Sequence, residues 1–137
     1  MSIQIRRIDY FYTTAKDQPG EASKLLSLLA GLGVNLVSFT AIPISPTRTQ
    51  LTLFPEDSGR LCCEAGKAGV DLDGPYPAIL VQGDDELGAL AEIHQRLFEA
   101  GVNVFASTGV SDGRGAFGYV VYVRPEDYDA ALQTLGL

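Results

Sequence analysis

Apolar side chains recur along this chain with two different periods. Ala22, Leu25, Leu29 and Leu32 keep the three-and-four spacing of one helical face, and Leu90, Ile93, Leu97 and Ala100 keep it again. Gly33 and Gly101 follow these runs and predict the helix ends, because glycine takes the left-handed end conformation at little cost. Asp17 and Asp85 precede the runs and are expected to cap the helices by accepting a bond from an unpaired backbone N–H. Short segments rich in aromatic and aliphatic residues predict strands at 10–14 and 78–82, at 34–42 and 102–110, and at 49–54 and 119–123. Pro55 and Pro125 break the last pair of strands. The acids that follow each proline suit a helix N-terminus and open helices over 57–68 and 126–135. A further strand is expected at 70–73.

The two sets of elements are two copies of one pattern. The stretch from Asp17 aligns with the stretch from Asp85 at an offset of 68, so that Gly20 meets Gly88, Leu25 meets Ile93, and Gly33-Val34-Asn35 meets Gly101-Val102-Asn103. After a two-residue insertion the match resumes at an offset of 70, with Pro55-Glu56-Asp57 facing Pro125-Glu126-Asp127. A period this long is that of a small domain rather than of a solenoid unit.

The order within each copy is strand, helix, strand, strand, helix, and a fourth strand completes the first copy. This is the split-βαβ order, βαββαβ, which predicts an α+β fold of two ferredoxin-like modules, each an antiparallel sheet with its helices on one face. The expected modules are residues 1–74 and 75–137. The second copy reaches Leu137 directly after its last helix, without a fourth strand. Carrying the offset of 68 backwards places residues 2–6 on residues 70–74, so the N-terminal segment is expected to complete the sheet of the second module.

Composition narrows the function classes. The 137 residues are 46% hydrophobic and 20% charged, as in an ordinary globular chain, with a formal net charge of -7. That charge argues against nucleic acid or an anionic membrane as a partner, since both need a basic patch, and the ten basic side chains look scattered. Residues 25–47 carry no charge and are long enough to cross a bilayer, but the matching stretch of the second copy holds Glu92, Arg96 and Glu99, which argues against a span. No apolar leader segment is visible at the N-terminus, so a cytoplasmic location is expected. Cys62 and Cys63 are adjacent, give no disulfide framework or metal spacing, and are expected as a small buried pair on one helix.

The repeated Asp17-Gln18-Pro19-Gly20 before the first helix and Gly33-Val34-Asn35 at the second strand, echoed by Asp85-Glu86-Leu87-Gly88 and Gly101-Val102-Asn103, carry a resemblance. The chain resembles the ACT domain family, small βαββαβ modules that serve as regulatory domains of amino-acid biosynthetic enzymes, and it looks like a stand-alone tandem of them. In that family small ligands, often amino acids, sit where two modules meet, against the loop before the first helix and the start of the second strand. The resemblance therefore implies ligand-binding residues at Asp17, Gln18, Pro19, Gly20 and Asn35, and at Asp85, Glu86, Leu87, Gly88 and Asn103. A helix N-terminus suits a carboxylate, glycine admits close approach, and asparagine offers both a donor and an acceptor. Leu87 departs from the proline of the first copy, and the acids at 84–86 would repel an anion there or favour a cationic group. Gly20 could instead serve helix–sheet packing, and Asn35 a loop.

Other chemical signals are weaker. Gly113 to Gly118 spell G-x-G-x-x-G, but a strand rather than a helix follows, which predicts a hairpin and no dinucleotide site. His94 is the single histidine and cannot build a metal centre; a helix-boundary role is expected. Asp84-Asp85-Glu86 lacks the spacing of a calcium loop, and Ser107-Thr108 lacks a base. No catalytic residue, metal or cofactor is expected. The expected function is that of a non-enzymatic regulatory protein that binds a small molecule, an amino acid by the resemblance. The alternative is a ligand-free interaction or transcription-regulating component resembling the glycine-cleavage repressor. Exposed strand edges and the apolar Leu26 and Leu28 beside the first helix's core stripe predict a homodimer.

Overall fold

The computed structural model describes residues 3–137. Ser2, within the segment expected to complete the second module, lies outside the described residues. The chain divides into two compact units, one taking in Asp9–Tyr76 and the other the chain up to Ile8 together with Pro77–Leu137.

The Asp9–Tyr76 unit holds the second half of strand β1 (Ile3–Lys16), helix α1 (Glu21–Gly31), strands β2 (Leu36–Ser45) and β3 (Arg48–Pro55), helix α2 (Ser58–Lys67) and the first residues of β4 (Asp73–Asp84). Its strand order is β2-β3-β1-β4. The β1–β3 and β2–β3 pairs are antiparallel, with Phe11 opposite Leu53 and Phe39 opposite Leu53. Alternation puts Phe11 and Leu53 on the helix-bearing face, where they pack with Leu29, Val34, Leu61 and Ala65. Leu53 and Leu61 are fully buried, each contributing roughly 1.5–3 kcal/mol. The expected strand at 70–73 begins only at Asp73. Val70 and Leu72 pack against the core from the connection instead.

The other unit holds the start of β1, the rest of β4, helix α3 (Ala89–Glu99), strands β5 (Val104–Ser111) and β6 (Ala116–Val123), a single turn at Pro125–Asp127 and helix α4 (Tyr128–Thr134). Its strand order is β1-β4-β6-β5, and β4–β6 and β5–β6 are antiparallel. The core joins Ile79, Val81, Phe117, Val121 and Val123 from the sheet to Ile93, Leu97, Ala131 and Leu132 from the helices, with Ile3 and Ile5 packed against it. The last helix starts later than expected, because a 3-10 turn opened by Pro125 precedes it.

Two local readings need correction. Helices α1 and α3 are entered through Gly20 and Gly88, both left-handed (φ 88° and 84°), and no side chain caps either. Asp17 and Asp85 lie three residues too early; their backbone N–H groups donate to the Thr47 and Gly115 carbonyls at 2.8 Å. The cap that does form is on α2, where the Asp57 carboxylate accepts from the Arg60 N–H at 3.1 Å. Cys62 and Cys63 are both exposed rather than buried, since Leu61 and Ala65, four residues apart, take the inward face of α2. Gly33 and Gly101 end their helices with φ 74° each, as expected. No helix among the described residues is long and apolar enough to cross a membrane.

Candidate functional site

Each unit carries an open cleft at the end of the sheet where a strand hands over to a helix. In the Asp9–Tyr76 unit the cleft has a volume of about 510 Å³ and lies between the end of β1 (Thr13 to Lys16), the start of β3 (Arg48, Leu51), one face of α1 (Glu21, Lys24, Leu25, Leu28) and Val70. Its floor is apolar, with Leu51 buried and Leu25 and Val70 half-buried. Its rim is charged. Lys16 and Arg48 are exposed cross-strand partners, and the Arg48 guanidinium donates to the Thr14 hydroxyl at 2.7 Å. Lys24 pairs with Glu21 at 3.7 Å on α1.

The other unit has a cleft of about 660 Å³ beside its own strand-to-helix turn, lined by Asp85 to Ala91, Gly109 to Ser111, Phe117 and Gly118; of the first cleft's positions it repeats only those of Glu21 and Arg48, as Ala89 and Gly118. Its charges are the carboxylates of Asp85 and Glu86. Asp85 accepts a bond from the Ser111 hydroxyl at 3.0 Å. Behind this wall the Tyr119 ring lies across Gly109, where an added Cβ would come within 2.8 Å of its Cδ1, and the Tyr119 hydroxyl meets His94 Nε2 at 2.5 Å. His94 thus has a structural partner on β6.

The residues named from sequence fall in three places. Asp85, Glu86, Leu87 and Gly88 line the second cleft. Asp17, Gln18, Pro19 and Gly20 form the exposed turn between Lys16 and Glu21, which border the first cleft without bringing the turn itself into it. An added Cβ at Gly20 would meet nothing within 4 Å, so its left-handed backbone and not helix–sheet packing calls for glycine. Asn35 and Asn103 stand at the opposite ends of their sheets. Asn35 precedes Leu36, which pairs with Pro55, whereas the turn follows Lys16, which pairs with Arg48. Seven residues of β3 separate those two registers, roughly 23 Å at strand rise. Within one unit, Asn35 and the turn therefore do not share a site. Asn35 is engaged locally: its Nδ2 donates to the Glu56 carboxylate at 2.6 Å, and the Glu56 N–H donates to its carbonyl at 2.9 Å.

The G-x-G-x-x-G segment is a hairpin closed by Asp112, whose carboxylate accepts from the N–H groups of Arg114 and Ala116 at 2.6 and 3.1 Å. Sequence reading missed Thr14, Lys16, Lys24 and Arg48 as neighbours. The signal that unites them is the antiparallel register that sets Lys16 opposite Arg48.

Tyr10, Asp73 and Tyr76 line neither cleft. The Tyr76 hydroxyl donates to the Asp73 carboxylate at 2.6 Å, which holds the Asp73 carboxyl below its ordinary range and pushes the Tyr76 phenol up. Tyr12 stacks on Tyr76 at 5.2 Å, and burial raises the Tyr10 phenol. Among the described residues no group of three His, Cys, Asp or Glu side chains could hold a metal ion.

No protein-family model matches the chain, and no curated protein matches its sequence. Solved structures do match its fold. A protein from Bacteroides thetaiotaomicron superposes with a TM-score of 0.77 at 13% identity, covering 97% of this chain and 88% of that one. The ligand-free regulatory subunit of aspartate kinase from Thermus thermophilus superposes at 0.65 with 15% identity, covering 97% and 93%. The corresponding subunit from Thermus flavus superposes at 0.56 with 18% identity, covering 98% and 93%. The chain therefore has the α+β fold, antiparallel sheet with helices, that these regulatory subunits share.

Proposed function

We propose that this chain is a non-catalytic regulatory protein that binds a small molecule, an amino acid by class, through two ACT-type modules. The modules are the Asp9–Tyr76 unit and the unit that joins the N-terminal segment to Pro77–Leu137. The observation that carries the reading is an open cleft beside the strand-to-helix turn of each unit, although the two are lined by largely different positions. Apolar floors with a few polar groups at such junctions are the ordinary form of small-ligand sites. The likeness to aspartate kinase regulatory subunits supports the regulatory half of the reading.

On this reading the protein is cytoplasmic and a homodimer. The outermost strand β2 leaves Val37, Ile42 and Ile44 exposed, an edge that invites pairing with a second copy. A second module at that edge would also let Asn35 face a ligand that one unit alone cannot offer it. The exposed edge equally suits the alternative, a component that acts by binding another protein and takes no ligand.

A thermal-shift panel of the twenty amino acids separates the two. A ligand at ~100 times its dissociation constant stabilises the folded state by ~2.7 kcal/mol. No shift by any amino acid at millimolar concentration refutes ligand binding and leaves the interaction reading. Light scattering that finds a monomer at working concentration refutes the dimer.

A further inference from the structure

We infer that the cleft of the Asp9–Tyr76 unit selects a ligand with an anionic side group on a short aliphatic stem, a dicarboxylic amino acid by chemical class. The inference rests on the small-molecule reading above and specifies its ligand.

Three of the chain's ten basic side chains, Lys16, Lys24 and Arg48, border this one cleft in a protein of net charge -7. Their arrangement is unfavourable without an anion. Lys16 and Arg48 are direct cross-strand partners, and like charges so placed repel. Neither has an ion-pair partner among the described residues, whereas Lys24 has Glu21. The Arg48 guanidinium is nonetheless held, by its bond to the Thr14 hydroxyl, and keeps further N–H donors for a carboxylate. A carboxylate between Lys16 and Arg48 would turn this repulsion into two charge-assisted contacts. Leu25, Leu28, Leu51 and Val70 offer an apolar surface for the methylene stem.

The second copy serves as an internal comparison. At the repeat-equivalent positions Lys16 becomes Asp84, Lys24 becomes Glu92 and Arg48 becomes Gly118. The cationic rim is thus particular to the first copy and does not follow from the fold. The cleft beside the second unit's strand-to-helix turn, with Asp85 and Glu86 on its wall, would repel the same ligand.

Calorimetric titration of the full chain with two isosteric pairs, L-glutamate against L-glutamine and L-aspartate against L-asparagine, tests the inference. Each pair differs in charge at nearly constant shape. The expected result is at least tenfold tighter binding of one acidic member than of its amide. Lys16→Gln and Arg48→Gln should each weaken the acid about tenfold, the scale of one charge-assisted hydrogen bond, and the amide far less. Both side chains are exposed, and Lys16 makes no side-chain hydrogen bond or ion pair among the described residues, so Lys16→Gln keeps the test valid should Arg48→Gln melt early. Amides that bind as well as the acids, binding of neutral amino acids alone, or acid binding indifferent to both substitutions would overturn the charge selection and leave the small-molecule reading standing. Failure of all twenty amino acids to bind would remove both.

Discussion

Replacing Asn35 by alanine separates a structural asparagine from a ligand-contacting one. In the free protein Asn35 Nδ2 donates to the Glu56 carboxylate at 2.6 Å, joining the entry to β2 to the exit from β3. A buried bond to a charged acceptor contributes about 1.5–3 kcal/mol. Both partners here are exposed, which reduces the expected value to about 0.5–1 kcal/mol. The backbone bond from the Glu56 N–H to the Asn35 carbonyl survives the substitution. For a unit of this size, Asn35→Ala should lower the melting temperature by about 2–6 °C in scanning calorimetry. A double-mutant cycle with Glu56→Ala should return most of that loss as coupling. Asn103, the repeat equivalent, has no side-chain hydrogen bond among the described residues, so Asn103→Ala should shift the melting temperature by about 1 °C or less. Additive single effects would refute the bond. An unchanged melting temperature together with a lost amino-acid response would show that Asn35 works on the ligand.

Gly109→Ala should cost about 1–3 kcal/mol in urea unfolding, because the new Cβ would press into the Tyr119 ring; equal stability of variant and wild type would contradict that close approach. Asp57→Ala should remove the N-cap of α2 and cost about 1 kcal/mol, whereas Asp17→Ala should not show a capping loss, as judged by their denaturation midpoints. Because the Tyr76 bond depresses the Asp73 carboxyl, its stabilising effect is fully present above the ordinary aspartate value of 3.8 and is lost as pH falls through the lower folded value. An NMR titration of Asp73 should therefore show a midpoint below 3.8 that rises in Tyr76→Phe, and an unmoved midpoint would exclude the bond as its cause.

The local signals in the sequence were strong where one residue type decides the conformation. Gly33 and Gly101 end their helices as glycine should, and Leu25, Leu29, Ile93 and Leu97 face their cores as their spacing requires. The capping expectation failed at Asp17 and Asp85 because a left-handed glycine nearer each helix supplies the turn instead, a choice between two local solutions that composition does not rank. The cysteines misled because their type is most often buried, whereas the face of α2 was already settled by Leu61 and Ala65. The cationic cleft was invisible for a different reason. Lys16 and Arg48 are distant in sequence and meet through strand register, which depends on the pairing of whole strands. Reading Asn35 together with Gly20 failed within one unit for the same reason, since register sets them at opposite ends of the sheet.

The passage of β1 through both units bears on how the protein is made. The segment up to Ile8 belongs with Pro77–Leu137, although about seventy residues are synthesised between them. At roughly 5–20 residues per second, some 3–14 s pass after Ile8 emerges before even Pro77 does. The intervening Asp9–Tyr76 unit is contiguous, and its core is complete by Leu72, before Pro77 emerges. Ile3 and Ile5 meanwhile wait without the core they pack against. The Asp9–Tyr76 unit is therefore expected to fold first on the nascent chain, with Ile3 and Ile5 left open to other contacts until the core around Ile93 and Leu97 is made.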